Sequence, residues 1–214
     1  VWSITIDAPL EEPSDPTKTP NPSKAPWYFL ALQEMLVYFD PWVAGVVLPG
    51  MIIAGLIAIP YIDINTKGKG YYTIKERPFA LAVFSFGFIV LWIALMIVGT
   101  FLRGPGWNFF APWLEWDPHK VVPLTNVNLS YKFGIRTEQT ANVFGFVAVA
   151  GYFALGPIIY FWKGKTSGFL QELGLVRYTV VSSLFLIMLS LPIKMILRWV
   201  WNIKYIWVSP WFNI

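Results

Sequence analysis

The sequence predicts an all-α, polytopic membrane protein, with four full transmembrane helices, an interfacial helix and the tail of a preceding helix. Three observations predict it. Of 214 residues, 56% are hydrophobic and 13% charged, and the mean hydropathy is +0.55. A soluble domain carries about 25% charged residues, so this chain must hide apolar surface from water by other means. Four stretches with little or no charge reach the roughly 20 residues that a bilayer crossing needs. Finally, 12 Trp, 10 Tyr and 17 Phe supply the rings that collect at headgroup level. The net charge of +4 forms no basic stripe of the kind that follows a nucleic acid, so no nucleic-acid partner is expected. With no cysteine, the chain itself holds no disulfide, cysteine-ligated iron–sulfur cluster or thioether-linked haem.

The elements follow in chain order. "VWSITI", residues 1–6, reads as the tail of an apolar helix. A proline ladder then runs through Pro9, Pro13, Pro16, Pro20, Pro22 and Pro26. Proline fixes φ and removes a donor, so this loop is extended and stiff. Trp27–Phe39 turns helical in pattern, apolar at nearly every position except Gln33 and Glu34. Such a helix can lie in the membrane interface, or pack on a neighbour with its two polar side chains aimed at a pocket. The first three spans, Trp42–Ile62, Phe79–Leu102 and Gln139–Trp162, carry no charge. The fourth, Tyr178–Trp201, is clean to Ile193 and then carries Lys194 and Arg198, expected to snorkel to the interface. Prolines 49, 60, 157 and 192 fall within or at the ends of these spans, which membrane helices tolerate.

The loops set orientation. Lys67, Lys69, Lys75 and Arg77 crowd the loop after the first span, and Lys163, Lys165 and Arg177 the loop after the third. Short Lys/Arg-rich loops stay cytoplasmic. The N-terminal loop, with six acids (Asp7, Glu11, Glu12, Asp15, Glu34, Asp40), then faces the other side together with the 103–138 connection and the C-terminus. The expected organisation is a proline-rich loop and helix over 1–41, a two-helix core over 42–102, an aromatic loop over 103–138, and two further transmembrane helices with a tail over 139–214. In the 103–138 loop, Trp107, Phe109, Phe110, Trp113 and Trp116 form an aromatic group expected to be buried against membrane, helices or a partner.

Few residues offer chemistry. His119 is the one histidine, and a bis-histidine haem needs two. No Gly-rich phosphate loop, Ser/His/Asp set or metal-spaced cluster is present, so no metal is expected. What remains is an aromatic stretch with carboxylates at a membrane boundary. Glu34 lies among Trp27, Tyr28, Phe29, Tyr38 and Phe39, where flat walls suit an apolar ring and an acid suits proton exchange. The plainer reading is an anchor helix with its acids in water. Asp40, next to Pro41, reads as a helix cap.

"DPTKTPNPSKAPWYFLALQEMLVYFDPWVAGVVLPGMIIAGLIAIPYID", residues 15–63, resembles the C-terminal part of cytochrome b, which is subunit IV in b6f complexes. The resemblance runs from about Ala8 to Leu102. "RGPGWNFF" and "NIKYIWVSPWFNI" resemble the longer C-terminal domains of bacterial cytochrome b proteins. The family's Pro-Glu-Trp-Tyr signature stands here as Ala25-Pro26-Trp27-Tyr28, with proline in place of the glutamate held to accept a quinol proton. Glu34, about two helical turns on, is the expected substitute. The resemblance implies a membrane subunit of a quinol:cytochrome c oxidoreductase, in a bacterial inner membrane, with its quinol-oxidation side non-cytoplasmic. Pro26, Trp27, Tyr28, Leu30, Gln33 and Glu34 would line the quinol site, Glu34 as proton acceptor. Menaquinone or ubiquinone would be the cofactor. Partners would be membrane lipid, a haem-binding cytochrome b N-terminal subunit, a Rieske-type iron–sulfur protein and a cytochrome c subunit; the b-type haems and the iron–sulfur cluster belong to those chains. On that basis Glu34→Gln slows quinol oxidation by roughly 10²–10⁴-fold with assembly intact. A structural membrane-anchor subunit of another electron-transfer complex is the alternative. A transporter component would want ionisable groups midway through its spans, and the first three have none apart from tyrosine.

Overall fold

A computed structural model describes residues 13, 15–68, 73–115, 117, 119, 125–164 and 166–214. Four helices in it are long and apolar enough to cross a membrane: α2 (Val43–Ile62), α3 (Pro78–Phe101), α5 (Glu138–Lys163) and α6 (Gly168–Trp201). The short helices are α1 (Leu30–Tyr38) and α4 (Leu129–Lys132). The protein is thus mostly helical and multi-pass, as its composition predicts. Residues 1–6 lie outside the described residues, as do Lys69, Trp116 and Lys165.

Two spans depart locally from α-helical winding. Val43–Val47 and Ser85–Trp92 are π-helical, with Leu48 N–H donating to Val43 O and Ile93 N–H to Phe88 O. The first precedes Pro49, whose missing N–H interrupts the regular ladder there. α6 starts ten residues before the span expected from hydropathy. The two views meet at Gly174, whose backbone (φ 73°, ψ 163°) breaks the helix and separates a first turn from the apolar run. That conformation is open to glycine and strained for other residues.

α6 is the hub. Tyr152 on α5 donates to Leu186 O (2.6 Å), and Tyr178 donates back to Gly156 O (3.1 Å), so α5 and α6 form an antiparallel pair. The Arg177 guanidinium reaches Tyr61 O at 3.0 Å, meeting the carbonyl end of α2. At that same end Arg77 binds Asp63 and the carbonyls of Asn65 and Lys67, holding the Asp63 carboxyl below the usual carboxylate range. The other end of the bundle gathers the remaining segments. A parallel two-strand ladder joins β1 (Val127–Asn128) to β2 (Ile203–Tyr205), and Asn202 donates to Thr125 Oγ1. The two Lys/Arg-rich connections therefore share one end, and the proline-rich loop, the aromatic loop and the tail share the other.

Lining the spans, Ile52, Leu56, Phe84, Val147 and Phe161 point outward, as a lipid-facing surface requires. The tight core sits at one end, where Ala31, Met35, Tyr38 and Phe39 pack with Ala44, Leu91, Leu95 and Leu191. α1 is therefore built into the bundle rather than lying free on it.

The tail is seated by a glycine. A Cβ on Gly145 would lie 2.5 Å from Trp207 Cα and 2.7 Å from Ile206 O, both backbone atoms that cannot swing aside. Trp207 Nε1–H also donates to Asn142 at 2.6 Å. Gly145→Ala is expected to lift the tail off α5 at a cost of about 1–3 kcal/mol, seen as faster proteolysis of residues 202–214 with the four spans intact.

Candidate functional site

The site is built where the proline-rich loop enters α1. Three side chains hold the loop down through four hydrogen bonds. Lys24 Nζ donates to Thr100 O (2.7 Å), meeting the last carbonyls of α3 as a cation should; burial pushes the Lys24 ammonium below its ordinary range. Gly106 N–H donates to Asn21 Oδ1 (2.7 Å). Gln33 makes the other two, accepting from Ala25 N–H and donating to Ser23 O, both 2.8 Å. A single 3-10 turn, Trp27–Phe29, then carries three exposed rings. Trp27 meets Tyr28 edge-on (5.6 Å) and Tyr28 leans on Phe29 (4.7 Å). Trp27 is 69% exposed, and Pro26 and Tyr28 are open beside it.

Behind this turn lies a buried ion pair. Glu34 is 0% exposed. Arg103 grips it with two prongs, Nε to Oε2 (2.9 Å) and Nη2 to Oε1 (2.6 Å). Tyr38 Oη donates to Oε1 (2.8 Å) and Trp107 Nε1 to Oε2 (3.1 Å). A carboxylate offers about four lone-pair sites, and these donors occupy them. Burial first, then the neighbouring Glu34 charge, pushes the Tyr38 hydroxyl up, so it stays a donor.

Arg103 owes its place to the turn after α3. Gly104 N–H donates to Asn108 O and Phe110 N–H to Leu102 O, folding residues 102–110 into a tight hairpin. Gly106 and Trp107 take positive φ (63° and 58°) at its tip. The third arm of Arg103, Nη1, donates to Trp107 O (3.1 Å), and its guanidinium lies 5.7 Å over the Phe109 ring. The "RGPGWNFF" segment is therefore the lock for Glu34.

The six residues expected to line one pocket separate into two layers. Pro26, Trp27 and Tyr28 form the open layer. Leu30 and Glu34 are buried beneath it, Leu30 packing on Gly99, and Gln33 is the half-buried staple between. Asp40 Oδ1 accepts from Trp42 N–H (3.1 Å), a helix-start contact. Of the aromatic loop, Phe110 is buried and Trp107 half-buried, whereas Trp113 is 83% exposed. His119 is exposed, its backbone N–H bound to Asp117. Among the described residues no group of three or more His, Cys, Asp or Glu could hold a metal ion.

Lys194 and Arg198 do not snorkel outward as expected. Lys194 is 2% exposed, its Nζ donating to Lys204 O and lying 5.3 Å from the Phe39 ring centroid. Arg198 Nη1 reaches Thr125 O and Asn202 O at 3.4 and 3.3 Å. The inward carbonyls of the folded-back tail supply partners that hydropathy does not show.

Four spans with an aromatic ledge braced by a buried ion pair at one end define a multi-pass membrane protein with a shaped boundary surface. Residues 13–122, just over half of the chain, match the family model described as cytochrome b (C-terminal)/b6/petD. The chain belongs to that family, and so to cytochrome bc/b6f-type complexes, which are multi-subunit oxidoreductases. No solved structure matches the chain.

Proposed function

We propose that this chain supplies one wall of the quinol-oxidation site of a quinol:cytochrome c oxidoreductase. The observation that carries the reading is the ledge Pro26–Trp27–Tyr28–Phe29, open, aromatic and at the membrane boundary, within the stretch the family model covers. Flat exposed rings there offer an apolar quinone ring a stacking surface, and a large open patch implies something that covers it. Quinol gives up two electrons and two protons; the haem-bearing cytochrome b subunit and the Rieske-type protein would take one electron each. The end of the bundle that carries the ledge would be non-cytoplasmic, in a bacterial inner membrane.

Glu34 then acts by positioning. Its carboxylate has no lone pair left for a quinol hydroxyl while Arg103, Tyr38 and Trp107 hold it. Pro26 cannot accept a proton. Both quinol protons would pass to water or to a partner chain at the ledge, and Glu34 would keep α1 and the turn before it in place.

Three experiments test this reading. Affinity-tagged chain drawn from its native membrane should bring down a two-haem b-type subunit and catalyse quinol-dependent cytochrome c reduction. Expressed alone, it should give no low-spin b-type spectrum. A tagged chain that assembles without any haem-bearing partner would count for the membrane-anchor alternative. Sidedness is checked with cysteines at Lys67 and Ser209, expected to label from opposite faces of the membrane. Because the Ser209 hydroxyl bonds Phe212, Trp211, 90% exposed, is the better second position. Labelling from one face would overturn the topology.

A further inference from the structure

Beside the ledge, α1 and the tail enclose an open cleft of about 350 Å³. Gln33, Leu36, Trp107 and Asn126 line it with two cations, Arg198 and Lys204. Lys194 stands directly behind, bonded to the Lys204 carbonyl. Arg198 is 7% exposed, yet among the described residues neither it, Lys194 nor Lys204 has a carboxylate at ion-pair distance. The acids nearby are engaged elsewhere. Glu34 is held by Arg103, and Asp40 bonds Trp42 N–H and acts on Lys204 only through space. Buried cations are costly unless paired, and the Arg198 bonds to carbonyls are at the long end of the range.

We propose that this cleft binds the phosphate of an acidic phospholipid, with Arg198 and Lys204 as its ligands and the Asn126 and Gln33 amides at its rim. An arginine and a lysine lining one opening suit a phosphate, which can accept charge-assisted hydrogen bonds from both. The lipid source follows from the surroundings. Arg198 sits three residues before the end of α6, at the membrane boundary. Leu36 is exposed at the mouth, and Ile196, Trp199 and Val200 are exposed on the adjoining turns of α6, a surface for an acyl chain. Basic pockets among membrane helices recognise headgroups in this way. Arg198 and Lys204 lie outside residues 13–122, so the two cations come from the part of the chain beyond the matched stretch, while Gln33, Leu36 and Trp107 lie within it. The site does not depend on the quinol reading.

The test uses the full chain, purified in detergent and depleted of lipid. Phosphatidylglycerol, phosphatidylcholine and inorganic phosphate are titrated separately, and bound ligand is read by native mass spectrometry. Phosphatidylglycerol should bind at least tenfold more tightly than phosphatidylcholine, and saturating inorganic phosphate should displace it only weakly. Arg198→Gln and Lys204→Gln should each weaken phosphatidylglycerol binding about tenfold, while Lys18→Gln, on the exposed loop, should not change it. Lys204 is half-exposed, so its variant decides the matter if Arg198→Gln fails to fold. Equal binding of the two lipids, or wild-type binding by Lys204→Gln, overturns the proposal. Retention of inorganic phosphate alone, without phosphatidylglycerol, overturns the lipid assignment.

Discussion

Glu34→Gln is expected to destabilise the protein by about 3–5 kcal/mol, the usual cost of removing one partner from a buried ion pair. The reason is the Arg103 guanidinium. With the negative charge gone, the guanidinium stays buried, 3% exposed, with the introduced amide oxygen and the Trp107 carbonyl as neutral acceptors, and the amide NH2 points a donor where the second carboxylate oxygen accepted. Arg103→Gln should cost a similar amount, by leaving Glu34 with Tyr38 and Trp107 alone. Arg103→Lys should not rescue it, because an ammonium cannot reproduce the two-pronged grip. The double variant Glu34→Gln/Arg103→Gln should be less damaged than the sum of the singles, since neither charge is stranded. Thermal unfolding in detergent and the yield of assembled complex measure this. A Glu34→Gln protein that assembles normally but oxidises quinol 10²–10⁴-fold more slowly would instead mark Glu34 as the general base.

The second large effect is expected from the ledge. Trp27→Ala and Tyr28→Ala remove rings that are mostly exposed in this chain, so little intramolecular packing is lost. Their cost should therefore fall on function. If each ring contributes about 1.4 kcal/mol of quinol contact, each variant raises KM for quinol about tenfold, and the double variant raises it by up to about a hundredfold. Haem content and assembly should stay at wild-type levels. A fall in assembly with KM unchanged would mean that the ledge docks a partner subunit rather than quinol.

Much of the fold was legible because membrane helices obey composition. An uncharged run of about 20 residues has few alternatives, and the spans fall where hydropathy places them, apart from the ten residues by which α6 begins early. Local chemistry was legible too. Asp40 at a helix start is a short-range signal, and Tyr38 four residues after Glu34 must share its face. Long-range pairing was not. Arg103 meets Glu34 across 69 positions, and only an arginine at the end of an apolar span, followed by Gly-Pro-Gly, hinted that it turns back. The inward path of Lys194 and Arg198 depends on a tail that folds over α5 and offers its carbonyls. Periodicity carries no trace of such a contact. The same limit applies to the site. Pro26, Trp27, Tyr28, Leu30, Gln33 and Glu34 all fall within residues 26–34 and share a helix entry, but which of them face outward depends on what packs beneath them.

Contact between quinol and the ledge can be seen directly. The direct measurement is photolabelling of the purified complex with an azido-substituted quinol analogue, followed by peptide mapping. Covalent label is expected on the peptide containing residues 26–29, suppressed by excess unlabelled quinol and reduced in Trp27→Ala. Competable label confined to other subunits, or on this chain only along the outward faces of α2 and α5, would contradict it.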